Sequence, residues 1–95
     1  MNKTLSLLGL ARRAGRLSLG HDSVIAAVKA GMAKAVILTC DASPGHRREL
    51  EGIGFNGRIH ELNITSEEAG IALGKRCCIY SVNDEGFADA VAKTV

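Results

Sequence analysis

The 95-residue chain is predicted to be α/β: a three-layer α/β/α sandwich around a small mixed, largely parallel sheet. Two observations predict this. Ala35–Cys40 and Cys77–Val82 are short, continuous, mainly apolar runs, the pattern of strands covered on both faces. Segments of helical period, each with its own start or stop signal, alternate with them, and such alternation favours a sheet with helices on both sides.

The elements follow in order. A first helix is expected from Lys3 to Ala14, with Leu7, Leu10, Ala11 and Ala14 on its inward face and Gly15 as its stop. Arg16-Leu17-Ser18-Leu19 alternates and predicts a brief strand. Gly20-His21-Asp22-Ser23 opens a second helix, capped by Asp22 or Ser23, that turns Val24, Ile25 and Val28 inward and ends at Gly31. After the Ala35–Cys40 strand, Ser43 caps a third helix with Pro44 at its first position, running to about Ile53. Gly54 and Asn56-Gly57 lead into a strand at Arg58–Leu62. Thr65-Ser66-Glu67-Glu68 is a capping box for a helix reaching Leu73. Asp84 opens a last helix that packs Phe87, Ala90 and Val91. Leu7, Val28, Val36, Leu38, Ile79 and Val91 are the expected buried set, and the length suits one domain over 1–95.

Composition narrows the function. With 46% hydrophobic and 23% charged residues the chain has the balance of an ordered globular protein, not a disordered one. Its three aromatics, Phe55, Tyr80 and Phe87, are too few for a module that stacks bases on exposed rings. No stretch approaches the roughly 20 apolar residues of a membrane span, and the N-terminus lacks a signal-peptide pattern. Three cysteines, two of them adjacent, read as free thiols in a reducing, cytoplasmic setting. Residues 1–48 carry eight basic and two acidic side chains, a net +6, while 49–95 carry four and eight, a net −4. Such asymmetry points to one face offered to a polyanion.

The motifs are modest. The cysteines and histidines have no local ligand spacing, so no metal is expected, and no cofactor. Cys77 and Cys78, on one strand, would face opposite sides of the sheet. Ser43 and His46 are close in sequence, but a helix cap explains Ser43 and nothing nearby orients His46, so an enzyme is not expected. Gly20 before a helix lacks the remaining residues of a phosphate-binding loop. Arg12, Arg13 and Arg16 end the first helix, where they also complement its dipole. Lys75-Arg76, in the loop entering the last strand, has no such capping duty and reads as a phosphate contact.

An ordered set of short pieces resembles a known family. They are Leu8-Gly9-Leu10-Ala11-Arg12-Arg13-Ala14, Gly20-His21-Asp22, Ala33-Lys34-Ala35-Val36-Ile37-Leu38, Asp41-Ala42-Ser43, Leu73-Gly74-Lys75-Arg76 and Val82-Asn83-Asp84-Glu85-Gly86-Phe87-Ala88. Together they are similar to the ribosomal-protein family whose archaeal and eukaryotic members bind kink-turn RNA, and most similar to its small bacterial YlxQ-like branch. The resemblance implies an α/β/α sandwich that reads guanine edges with a Gly-x-Asn-Glu-x-x-Lys stretch and covers a flipped-out nucleotide with a second, apolar loop. Here Gly20 matches, whereas Asp22 replaces Asn, Ser23 replaces Glu, Ala26 replaces Lys, and the second loop is Lys75-Arg76-Cys77. The expected function is therefore non-enzymatic binding of structured RNA, possible ribosomal RNA included, mainly through phosphates and shape. Gly20 would let the backbone approach the RNA closely, and Asp22 with Ser23 would meet base or sugar edges. Lys34, Lys75 and Arg76 would meet phosphates, Cys77 would lie in the second contact loop, and Arg12, Arg13 and Arg16 would form the periphery. The rival expectation is a protein-interaction adaptor on the same fold.

Overall fold

The computed structural model describes residues 2–95. In chain order the elements are α1 (Lys3–Arg13), β1 (Leu17–Leu19), α2 (His21–Lys29), β2 (Ala35–Leu38), α3 (Pro44–Gly52), β3 (Arg58–Glu61), α4 (Ser66–Leu73), β4 (Ile79–Val82) and α5 (Glu85–Ala92).

Local chemistry sets most boundaries. The Ser43 hydroxyl accepts the Gly45 N–H, and Pro44 takes a first-turn position where its missing donor costs nothing. Thr65 and Glu68 complete a reciprocal capping box, and Asp84 accepts the Phe87 N–H at the start of α5. Three expected boundaries shift. β2 ends at Leu38, and just beyond it the Thr39 hydroxyl donates to Asp41 at 2.6 Å. Cys77 and Cys78 precede β4 and do not belong to it. Neither Asp22 nor Ser23 caps α2: the N-cap is Gly20, at φ 91° and ψ 162°, a backbone region that strains every side-chain-bearing residue.

The sheet order is β1-β4-β2-β3. β2 and β3 pair in parallel, but β4 runs antiparallel to both its neighbours, so the sheet is mostly antiparallel instead of largely parallel. Three strands do point the same way, as alternation with helices predicts. The exception comes from α4. Its first residue bonds Asp41, just beyond β2, and Gly70 in its middle lies against the Arg76 backbone. The short helix thus stays at the end of the sheet where β3 exits, and β4 is entered from that same end. A Cβ on Gly70 would fall 2.9 Å from the Arg76 Cα, so only glycine allows this close return.

Helices cover both faces. Leu8, Ala69, Leu73, Ala88 and Val91 from α1, α4 and α5 pack on Ala35, Ile37, Tyr80 and Val82. Val24 and Leu50 from α2 and α3 pack on Val36, Leu38 and Ile79 across the sheet. The alternation along β2 and β4 divides these two cores, and both strands are buried throughout. Four of the six residues expected inside are buried; Leu7 and Val28 are only partly so. The inward stripe of α1 is Thr4, Leu8 and Ala11, with Leu10 and Ala14 exposed. Apolar side chains surround much of α1, so its periodicity admits two faces, and packing against α4 and α5 selects the one whose Thr4 hydroxyl meets that of Thr94 at 2.7 Å.

Candidate RNA interface

The chain leaves β1 and β2, and enters β4, at one end of the sheet. The Gly20 N–H bonds the Ile79 carbonyl and the Thr39 N–H bonds the Cys78 carbonyl, drawing three segments together there. The start of α2 thus lies beside the 74–78 loop. Lys75 Nζ sits 3.8 Å from where a Cβ on Gly20 would stand. Two residues far apart in sequence, a backbone position open to close approach and a free ammonium, are thereby adjacent.

The loop is held from below. Buried Tyr80 donates its hydroxyl to the Cys77 carbonyl at 2.6 Å. Burial first, then the neighbouring Cys77 thiol, raises the phenol's pKa above its ordinary value. Arg76 Nε donates to Ser66 Oγ at 3.4 Å, and that hydroxyl donates onward to Asp41 at 2.7 Å. Asp41 also accepts from Thr39 and from the Ser66 N–H. These bonds, that from Thr39 foremost, hold its carboxyl down at about 2. Neither Lys75 nor Arg76 forms an ion pair among the described residues, which leaves both charges available to a polyanion.

Asp22 and Ser23 lie in the first turn of α2, fully on its exposed side. Asp22 is not isolated. His21 places Nδ1 3.0 Å from the Asp22 carboxylate and Nε2 2.6 Å from Glu49 on α3. Both contacts raise the His21 pKa, that with Asp22 more than that with Glu49. The His46 ring stands 6.0 Å from that of His21 and meets Cys78 Sγ at 3.5 Å. Burial first, then the nearby Asp41 charge, raises the Cys78 thiol pKa. Cys77 packs on the α1, α4 and α5 side instead, so the adjacent thiols do face different ways. No group of three or more metal-ligating side chains occurs among the described residues.

Not every expected contact joins this edge. Arg12 donates to the Leu73 carbonyl and crosses Gly74, so it borders the loop while tying α1 to α4. Arg13 follows it at the exposed end of α1. Lys34 and Arg16 lie at the opposite end of the sheet: the Lys34 N–H bonds Val82, and the Arg16 carbonyl accepts from Asn83. Sequence reading missed His21, Glu49 and Asp41. His21 beside Asp22 carried a signal, being an ionisable residue within the helix-opening stretch. Glu49 carried none, since only the packing of α2 and α3 on one sheet face brings it near.

The chain that carries this edge, a glycine-opened helix against a basic loop on a helix-covered mixed sheet, resembles known proteins over nearly its whole length. Residues 2–92 match the ribosomal protein L7Ae/L30e/S12e/Gadd45 family, and the chain belongs to this family of kink-turn RNA-binding proteins. The large ribosomal subunit protein eL30 of Neurospora crassa is 30% identical, over 90% of this chain and 82% of its own. The RNA-binding protein YlxQ of Enterococcus faecium is 31% identical, over 90% and 84%. A protein of unknown function from Bacillus halodurans C has a solved structure that superposes with a TM-score of 0.87 at 32% identity, covering 99% of this chain and 97% of that one. The Giardia lamblia 15.5kD RNA binding protein shares the fold at a TM-score of 0.68 and 18% identity, over 95% and 79%. No helix among the described residues is long and apolar enough to cross a membrane.

Proposed function

We propose that this protein is a non-enzymatic binder of structured RNA, using the edge formed by Gly20, Asp22, Ser23, Lys75, Arg76 and Cys77. The observation that carries this reading is the meeting of Gly20 with Lys75. A backbone free of side chain lets a nucleic acid approach closely, and the ammonium beside it takes a phosphate. Arg12 and Arg13 add charge at the border. Lys34 and Arg16 act only on an RNA long enough to reach the far end of the sheet.

Contacts to phosphate and shape dominate. Asp22 accepts hydrogen bonds from base amino groups but donates none, and it repels phosphate. Ser23 and Ala26 supply neither the carboxylate nor the ammonium of the family's base-reading stretch. With about four phosphates neutralised, the log–log salt slope on a duplex RNA is expected near −3 to −4. Replacing Lys75 and Arg76 by Ala should weaken all structured RNAs alike and flatten the slope by about two units. Asp22→Asn should sharpen preference for a kink-turn. The test is a competition titration at two salt concentrations between a kink-turn and a plain bulge of equal length. Strong, salt-insensitive preference for the kink-turn would refute the phosphate-and-shape mode. Absence of RNA binding at low salt would refute the reading and favour a protein adaptor, for which the exposed Leu10 in the groove between α1 and α4 is the supporting observation.

A further inference from the structure

At the contact edge Asp22 belongs to a three-residue bridge that also includes His21 and Glu49. Carboxylates only accept hydrogen bonds, and a neutral imidazole has a single N–H to give. His21 lies within bonding distance of a carboxylate at both ring nitrogens, Asp22 at 3.0 Å and Glu49 at 2.6 Å. Both bonds exist together only when the ring is an imidazolium. The bridge then carries a net charge of −1; on losing its proton it carries −2 and surrenders one of its two bonds.

We propose that His21 and Glu49 extend the RNA-contact edge from α2 onto α3, and that the protonated bridge admits RNA whereas the deprotonated bridge repels it. This rests on the RNA reading and adds its regulation. The position makes the charge matter, since Gly20 immediately precedes His21 and its neighbour Lys75 is the proposed phosphate contact. Releasing the proton leaves a second uncompensated carboxylate in the bridge that follows Gly20 directly in the chain.

The other groups facing the bridge are few. α3 brings His46, its ring 6.0 Å away, and carries Arg48 next to Glu49, while Arg47 is paired with Glu61. The loop brings Lys75, together with the Cys78 thiol against His46. The strands beneath α2 contribute no charged residue, and Tyr80 packs in the core on the opposite face. None of these replaces the proton between the two carboxylates. The raised His21 pKa, due to the bonds to Asp22 and then Glu49, agrees with the geometry.

The experiment measures binding of a fluorescent kink-turn hairpin to the full chain at constant ionic strength, from about pH 6 to about pH 8.5. Affinity of the unmodified protein should fall roughly three- to ten-fold over that range, as one charge a few ångströms from phosphate dictates. His21→Gln, neutral at every pH, should abolish the response and bind at low pH as weakly as the parent does at high pH. Glu49→Gln should move the response to lower pH and bind more tightly than the parent at high pH. A merely structural role would not move two exposed variants in opposite directions. Flat affinity in the parent, or an undiminished response in His21→Gln, overturns the bridge and leaves RNA binding standing. No RNA binding at any pH overturns both. Independently, proton NMR of the free protein should show His21 titrating above 6.5 and moving down in Glu49→Gln; titration at or below that value also overturns the bridge.

Discussion

Tyr80 shows how one buried atom serves an exposed loop. Its ring fills the core beneath α1, α4 and α5, and its hydroxyl reaches the Cys77 carbonyl. Phenylalanine keeps the ring and leaves that carbonyl without its partner. Tyr80→Phe should therefore lower stability by about 1 kcal/mol in denaturant unfolding. It should also weaken RNA binding without changing the salt slope, because the cations remain while their loop loosens. A flattened slope would mean that Tyr80 holds the charges themselves. Not all buried groups are so well served: His60 Nε2 has no hydrogen-bond partner among the described residues, and burial, with Arg58 nearby, pushes its pKa down.

At the scale of elements, α4 begins where two capping systems meet. Thr65 and Glu68 bond each other's backbone, while Asp41, from the turn after β2, accepts the Ser66 N–H and hydroxyl. A carboxylate at a helix N-terminus also complements the helix dipole. Asp41 has its pKa lowered from 3.8 to about 2 in the fold, so the unfolded chain binds the proton more readily. Its stabilising contribution is full above the unfolded value and is lost as pH falls from about 4 toward 2. Asp41→Asn should remove that part of the acid dependence, seen as a shallower fall of the thermal midpoint below pH of about 4. The same variant should disturb Arg76, which hangs from Asp41 through Ser66.

Across the whole molecule, the two cores share one four-stranded sheet, and each depends on β2 and β4 being covered on both sides. Leu8 is fully buried between α1 and the sheet, whereas Leu10, two residues on, is 46% exposed. Leu8→Ala should cost about 2–5 kcal/mol, and Leu10→Ala should stay within about 0.5 kcal/mol. Urea midpoints of the two variants test which face of α1 is inward. Equal losses would contradict the packing described here.

Much of this protein was legible in its sequence because the relevant atoms lie a few residues apart. Ser43 with Pro44, Thr65 with Glu68, and Asp84 each mark a helix start through bonds that their own backbone completes. The apolar core of β2, the Gly20 opening and the family resemblance are equally local. Tertiary structure decided the rest. β4 is reversed because α4 is short and closes back on the Arg76 backbone, a contact that helix–strand alternation does not encode. The face of α1 was settled by its neighbours, since the helix is apolar on more than one side. Lys34 and Arg16 are basic like Lys75 and Arg76, yet they occupy the other end of the sheet, because strand direction fixes which end a loop occupies. The His21–Glu49 contact joins residues 28 apart. Short-range chemistry specifies elements and caps; which charges become neighbours is set only when the elements pack.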